Sequence, residues 1–253
     1  MGEEVATRCK RSVTVLAAVP LLVGGCGVGH DEQAVPQPKH CRAGSVRPLG
    51  SNSTAFTAAV LTRARAFRHP GLHPFARFGR YNAYGVRTVL GVRAAVVRRD
   101  CRPAWYRVHL PVKPNGAVGY VRAREVRVGR VTARIAVDLS DRRLTYFRNG
   151  RVVLRARVGI GSSQTPTPTG HFYVNQRFRE DPAGPYGPAA IGISAYSEVL
   201  TWWADGGPIA IHGTNRPWTI GRAASNGCLH VPNAIARRLF RVIPAGTPVE
   251  ITA

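Results

Sequence analysis

Ser225-Asn226-Gly227-Cys228-Leu229 organises the reading of this chain, because it sets one cysteine at a glycine turn just ahead of the one clear helix. With no side chain at Gly227 the backbone can turn tightly, directing the N–H groups of Asn226, Gly227 and Cys228 toward a developing oxyanion. Downstream, Asn233 can cap a helix whose apolar residues Ile235, Leu239 and Val242 recur at spacings of four and three, and Pro244 stops it. Upstream, Ile211-His212-Gly213-Thr214 supplies a single histidine. A free thiol is mostly protonated at neutral pH, so His212 is the candidate base for a Cys228 nucleophile. Farther upstream, Ile135 to Ser140 alternates apolar and polar residues, Arg142 to Phe147 answers it, and Asn149-Gly150 signals a tight turn before Val152-Val153-Leu154. The nucleophile therefore belongs to a mainly β unit with a helix behind it.

The segments Ile211-His212-Gly213-Thr214, Ile220-Gly221, Ser225 to Leu229 and Pro244 to Ile251 follow one another in an order that resembles the L,D-transpeptidase catalytic domain. Val158-Gly159-Ile160-Gly161 and Thr165-Pro166-Thr167-Pro168-Thr169-Gly170 extend the resemblance upstream, and it spans roughly residues 132–251. It implies a β-rich catalytic domain over 132–253, a Cys228 nucleophile, and a His212 base oriented by the Gly213 backbone carbonyl. No acidic third member is then needed, and none stands between His212 and Cys228. The implied reaction joins peptidoglycan stem peptides through a thioester, without a cofactor. Hydrolysis of the same thioester (L,D-carboxypeptidase activity) and a non-catalytic wall-binding role are the alternatives. The resemblance also places Tyr186, Tyr196, Trp202, Trp203 and His230 in a substrate groove. Two positions depart from its pattern. Asn226 stands where many members have His, and His230 where Arg or Asn is usual, so a pH-dependent effect of His230 is open. Cys228, His230 and His212 could also be read as zinc ligands, but no Cys-x-x-Cys pair supports a metal.

The formal charge is +23, carried almost wholly by Arg, since the lysines are Lys10, Lys39 and Lys113. It is scattered rather than blocked. Either it records a GC-rich coding sequence or it draws the protein to anionic wall polymers, and no nucleic-acid motif accompanies it. Arg8, Lys10 and Arg11 followed by an apolar run, Ser12 to Val23, read as a secretory signal over 1–25. Val23-Gly24-Gly25-Cys26 resembles a lipobox, so Cys26 is either lipidated, giving a membrane anchor, or follows a plain cleavage site. Both readings export the protein to the cell envelope. Cys41 and Cys101 are then left over in an oxidising compartment and are the candidates for a disulfide.

Pro36, Pro38, Gly44, Pro48 and Gly50 mark residues 26–55 as a flexible linker. Beyond it come short β-branched and aromatic runs separated by Gly, Pro and Asn turns. Trp105-Tyr106-Arg107-Val108, then Lys113-Pro114-Asn115-Gly116, then Gly119-Tyr120-Val121 resembles bacterial SH3-like domains, implying a small β-barrel over 56–128. Wall binding and a packing or spacing role are both open for it.

Overall fold

The computed structural model describes residues 40–253, so the signal at 1–25, Cys26 and the first part of the linker lie outside the described residues. Alternation in the sequence becomes alternation in burial. In β9 (Ala133–Asp138) and β10 (Arg143–Arg148), Ile135 pairs with Tyr146 and Val137 with Leu144, all four inward, while Arg134, Ala136 and Thr145 face outward. Asn149 and Gly150 both take positive φ, at 51° and 75°, which is the backbone a two-residue hairpin turn into β11 (Arg151–Arg157) requires.

Ahead of this hairpin lie β1 (Val46–Pro48), β2 (Ala55–Val60), β3 (Arg63–His69) and β4 (Leu72–Gly79). They are followed by β5 (Val89–Val97), β6 (Pro103–His109), β7 (Val118–Arg122) and β8 (Val126–Val131). These eight form one antiparallel sheet in the order β4-β3-β7-β6-β5-β2-β8, with β1 added on β5. The path has two ends, β4 and β8, with no pairing between them among the described residues. The pairings do not specifically show the expected SH3-like barrel. Its core gathers Ala58, Val60, Leu90, Val108, Leu110 and Val121. The linker reading also needs correction from Cys41 onward. The Cys41 N–H donates to the Arg99 carbonyl at 2.9 Å, β1 pairs with β5, and Cys41 is disulfide-bonded to Cys101. The Pro and Gly residues there shape turns within a paired segment.

After β11 come β12 (Ile160–Gly161), β13 (Gly170–Arg179), β14 (Ala189–Tyr196), β15 (Pro208–His212), β16 (Ala223–Ser225) and β17 (Leu229–His230). The helix α1 (Asn233–Val242) and β18 (Pro248–Thr252) close the chain. The second sheet runs β11-β10-β9-β18-β13-β14-β15-β17. Here α1 packs on β14 and β15, burying Ala236 and Leu239 in a core with Ile191, Ile211, Leu229 and Val231. The helix starts differently from the expectation. Pro232 holds the cap position and Asn233 is the first helical residue, its side chain being used elsewhere.

The described residues, 40–253, belong to one compact unit. The two sheets are fastened by specific polar contacts. Asn115 exchanges two 2.8 Å hydrogen bonds with the Tyr196 backbone, the Tyr196 hydroxyl donates to the Pro111 carbonyl at 2.6 Å, and Asn82 donates to Gln176 at 2.9 Å. Gly91 lies so near the Tyr173 ring that a Cβ there would come within 3.0 Å of it.

Candidate active site

The site is built on the two-stranded parallel ladder of β15 and β17, in which Ile211 pairs with Leu229 and His212 with His230. Ile211 and Leu229 are fully buried and point into the core. Side chains alternate along a strand, so Cys228, His230, Ala210 and His212 share the opposite face. Cys228 immediately precedes β17 with the Ala210 backbone N–H directed at its sulfur, and the paired rung sets His230 beside His212. Thiol and imidazole are thus diagonal neighbours on one face.

His212 is 3% exposed, and burial followed by the nearby His230 lowers its pKa to about 4, opposed by a hydrogen bond to the Gly213 carbonyl. A carbonyl can only accept, so the 2.5 Å contact places the proton on Nδ1 and leaves the Nε2 lone pair free to take one. Cys228 is a free, half-buried thiol. Protein packed around the sulfur raises its pKa, partly offset by the Ala210 N–H. Both shifts favour the uncharged forms. The resting pair is therefore thiol and neutral imidazole, and a proton moves only when a reacting group stabilises the charges that result.

The loop from His212 is fixed from behind. The Thr214 N–H donates to Asn233 Oδ1 at 2.7 Å, and a Cβ added at Gly213 would lie 2.3 Å from that oxygen. Only glycine fits. The cysteine turn is pinned from within and from below. Ser225 Oγ donates to the Cys228 carbonyl at 2.6 Å and accepts from the Gly227 N–H at 3.1 Å, while Gly227 itself has a φ of +106°. Thr165 Oγ1 donates to the Ser225 carbonyl and Thr167 Oγ1 to the Gly227 carbonyl, each at 2.9 Å. The Thr-Pro segment singled out in the sequence is thus the brace of the cysteine turn.

Several expected residues converge. His212, the Gly213 carbonyl, Cys228 and His230 meet on the ladder face. Tyr186 stands edge-on to the His212 ring at 4.9 Å between centroids, and its phenol pKa is raised by burial and then by the proximity of Cys228. The expected Gly227 oxyanion donor needs correction, because its N–H is held by Ser225. The N–H groups of Asn226 and Cys228 have no hydrogen-bond partner among the described residues. Tyr196 is also misplaced by the groove reading. It lies at the far end of β14, paired with Pro208, which is four residues from His212 along β15, or about 13 Å along a strand. There it joins the two sheets. Trp202 and Trp203 stack on each other with centroids 6.1 Å apart on the loop joining β14 to β15, at that same far end, and Trp202 is 78% exposed. Sequence reading missed Thr219, Asn233, Ser225 and the Ala210 N–H as site-building groups. Only the threonine-rich motif gave any signal for such supports. Two cavities, of about 400 and 360 Å³, lie between the sheets, and neither is lined by Cys228 or His212.

A β-rich unit that holds a thiol beside a buried, backbone-oriented imidazole has the layout of a covalent acyl-transfer site. A family model described as the L,D-transpeptidase catalytic domain (YkuD) matches residues 132–251. The putative L,D-transpeptidase YqjB of Bacillus subtilis is 36% identical over 129 residues, covering 47% of this chain and 70% of that protein. The chain belongs to the L,D-transpeptidase family. The putative L,D-transpeptidase YkuD of the same organism is 36% identical over 117 residues, 46% of this chain and 64% of its own length. This chain therefore spans just under two thirds of that relative. The solved catalytic domain of an Enterococcus faecium L,D-transpeptidase aligns at 26% identity with a TM-score of 0.36, covering 47% of this chain and 96% of that one.

Proposed function

We propose that the protein is a cysteine-dependent peptidoglycan L,D-transpeptidase of the cell envelope. The observation that carries this reading is the single face of the β15–β17 ladder, where the Cys228 thiol lies diagonal to an imidazole whose Nδ1 is committed to the Gly213 carbonyl. His212 Nε2 takes the thiol proton as the sulfur bonds to a stem-peptide carbonyl carbon, and the carbonyl oxygen becomes an oxyanion facing the Asn226 and Cys228 N–H groups. Collapse breaks the peptide C–N bond, His212 returns the proton to the departing amine, and a thioester remains. An amine of a second stem then attacks that thioester. Its proton passes through His212 and the thiol is restored. No ATP is consumed, because the energy of the first peptide bond is kept in the thioester.

The amino-terminal signal pattern supports export, and Val23-Gly24-Gly25-Cys26 supports a lipid anchor at Cys26. The charge of +23 supports an added attraction to anionic wall polymers, and the first sheet is read as an SH3-like module that spaces or docks the catalytic unit. Incubation of the purified chain with a carbapenem and with tetrapeptide stems, followed by mass spectrometry, tests the reaction. A carbapenem adduct on Cys228 and dimeric stems support transfer, and Cys228→Ala abolishes both. Tripeptide without dimer indicates hydrolysis. Reaction with neither compound would sink the enzymatic reading.

A further inference from the structure

The mechanism leaves unused one imidazole that touches its base. The His230 ring lies 4.8 Å from the His212 ring, centroid to centroid, on the paired rung of the parallel ladder. Its Nδ1 is 2.9 Å from Thr219 Oγ1, and that hydroxyl lies 2.7 Å from the Arg216 carbonyl. Since a carbonyl only accepts, the one hydroxyl proton of Thr219 goes to Arg216, and the oxygen must accept from His230. His230 therefore carries its proton on Nδ1, the same tautomer as His212, and each ring keeps a basic Nε2. The backbone holds this ring as firmly. The His230 N–H donates to the Gly159 carbonyl at 2.9 Å, and its carbonyl accepts from the Gly159 N–H at 2.8 Å.

Resting on the reading of His212 as the base, we propose that His230 is a positioning residue whose moored imidazole walls one side of His212 and bars it from holding a proton before Cys228 supplies one. The groups facing this pair are few. His212 comes from β15, Arg216 from the loop after it, Cys228 from the turn before β17, and Tyr186 from the segment before β14. Arg216 is the fixed cation among them, Glu180 bears on Tyr186, and among the described residues no carboxylate acts on either imidazole to offset two charges at this spacing. Burial holds both imidazoles below their ordinary range, and as pH falls His230, nearer to solvent than the 3% exposed His212, takes a proton first. A cation on His230 then disfavours a second one at His212. The base stays unprotonated, and competent, farther into acid than an isolated imidazole would.

The test reads His212 directly, by an NMR titration of its imidazole in the full chain without substrate, beside the pH profile of Cys228 acylation by a carbapenem. His230→Asn keeps an N–H donor where Nδ1 meets Thr219 but removes the titrating ring. It should raise the His212 midpoint by about one pH unit and move the acid limb of acylation by the same amount. His230→Arg, a permanent cation, should leave the midpoint at or below its native value. Thr219→Val unmoors His230 and should give a smaller shift in the direction of the Asn variant. A His212 midpoint that stays put in folded His230→Asn overturns the proposal, as does an overall rate loss with no movement of the acid limb. If the midpoint moves in a chain that never acylates, the coupling stands while the acyl-transfer reading falls, so the two failures are separable.

Discussion

The two eight-stranded sheets solve opposite problems. Every pairing in the first is antiparallel, whereas the second contains two parallel pairs, β9 with β18 and β15 with β17. Antiparallel neighbours can be joined by a tight turn, but parallel neighbours need a long crossover to bring the chain back to the same end. Between β15 and β17 that crossover runs from Gly213 to Cys228 and carries the cysteine turn and Thr219. The first sheet gains order from hairpins and a disulfide. The second must hold a crossover against its core, and the proposed nucleophile sits on that crossover. Breaking a support should therefore cost activity in the second sheet and stability alone in the first.

The largest effect is expected at Gly213. A Cβ there would meet Asn233 Oδ1 at 2.3 Å, so Gly213→Ala must push the loop away from α1 and with it the carbonyl that orients His212. A displacement of about 1 Å at a catalytic group costs on the order of a hundredfold in rate, so carbapenem acylation of Cys228 should fall at least that far. A variant with near-native acylation would show that Asn233 does not fix the loop.

The first sheet offers the contrasting break. The disulfide closes a loop of sequence separation 60, for which chain entropy allows up to about 4 kcal/mol. Replacing Cys41 and Cys101 together by Ala should lower stability by roughly 2–4 kcal/mol in denaturant unfolding while leaving the acylation rate at 25 °C unchanged. Loss of acylation in the folded double variant would erase the distinction between the sheets.

The same contrast governs what could be read in advance. Hairpins announce themselves locally, so Asn149-Gly150 and the alternation around Ile135 and Leu144 were legible, as was the family through its motif. The β15–β17 register was not, because nothing local reports which residue lies opposite which across a crossover. That register decides that Cys228 meets Ala210 and that His230 meets His212. Asn233 was read as a helix cap because local pattern suggests it, but Pro232 took the cap and tertiary contact claimed its side chain for Thr214. Tyr196 and the two tryptophans looked like groove residues because they share a Gly-Pro-rich segment with Tyr186. Strand length separates them, and length along a strand is invisible until the pairing is known.

Burial of His212 also carries a pH signature. Its pKa falls from about 6.5 unfolded to about 4 folded, so between those values the unfolded chain binds the extra proton and stability rises with pH. The contribution is complete above about pH 6.5 and is lost as pH falls toward 4. It amounts to at most roughly 3–4 kcal/mol, from about 1.4 kcal/mol per pKa unit over the fall from 6.5 to about 4. In denaturant unfolding, His212→Gln should flatten the slope of stability against pH in that window. An unchanged slope would mean that other groups carry it.

The smallest effect tests the brace alone. Thr167 Oγ1 donates to the Gly227 carbonyl and accepts from the Gly161 N–H, each at 2.9 Å, so one buried hydroxyl joins the cysteine turn to β12. Thr167→Val keeps the shape and leaves a buried donor and acceptor without a partner, which costs about 1–3 kcal/mol. The loss falls on the segment that aims the Asn226 and Cys228 N–H groups, so it should appear in rate as well as in stability. A global destabilisation leaves the chain almost wholly folded at 25 °C and would not slow the reaction. A fall of roughly tenfold in acylation, with the His212 titration unmoved, would place the defect in the turn and not in the base. Stability loss with a native rate would instead make the Thr-Pro segment a scaffold element like those of the first sheet.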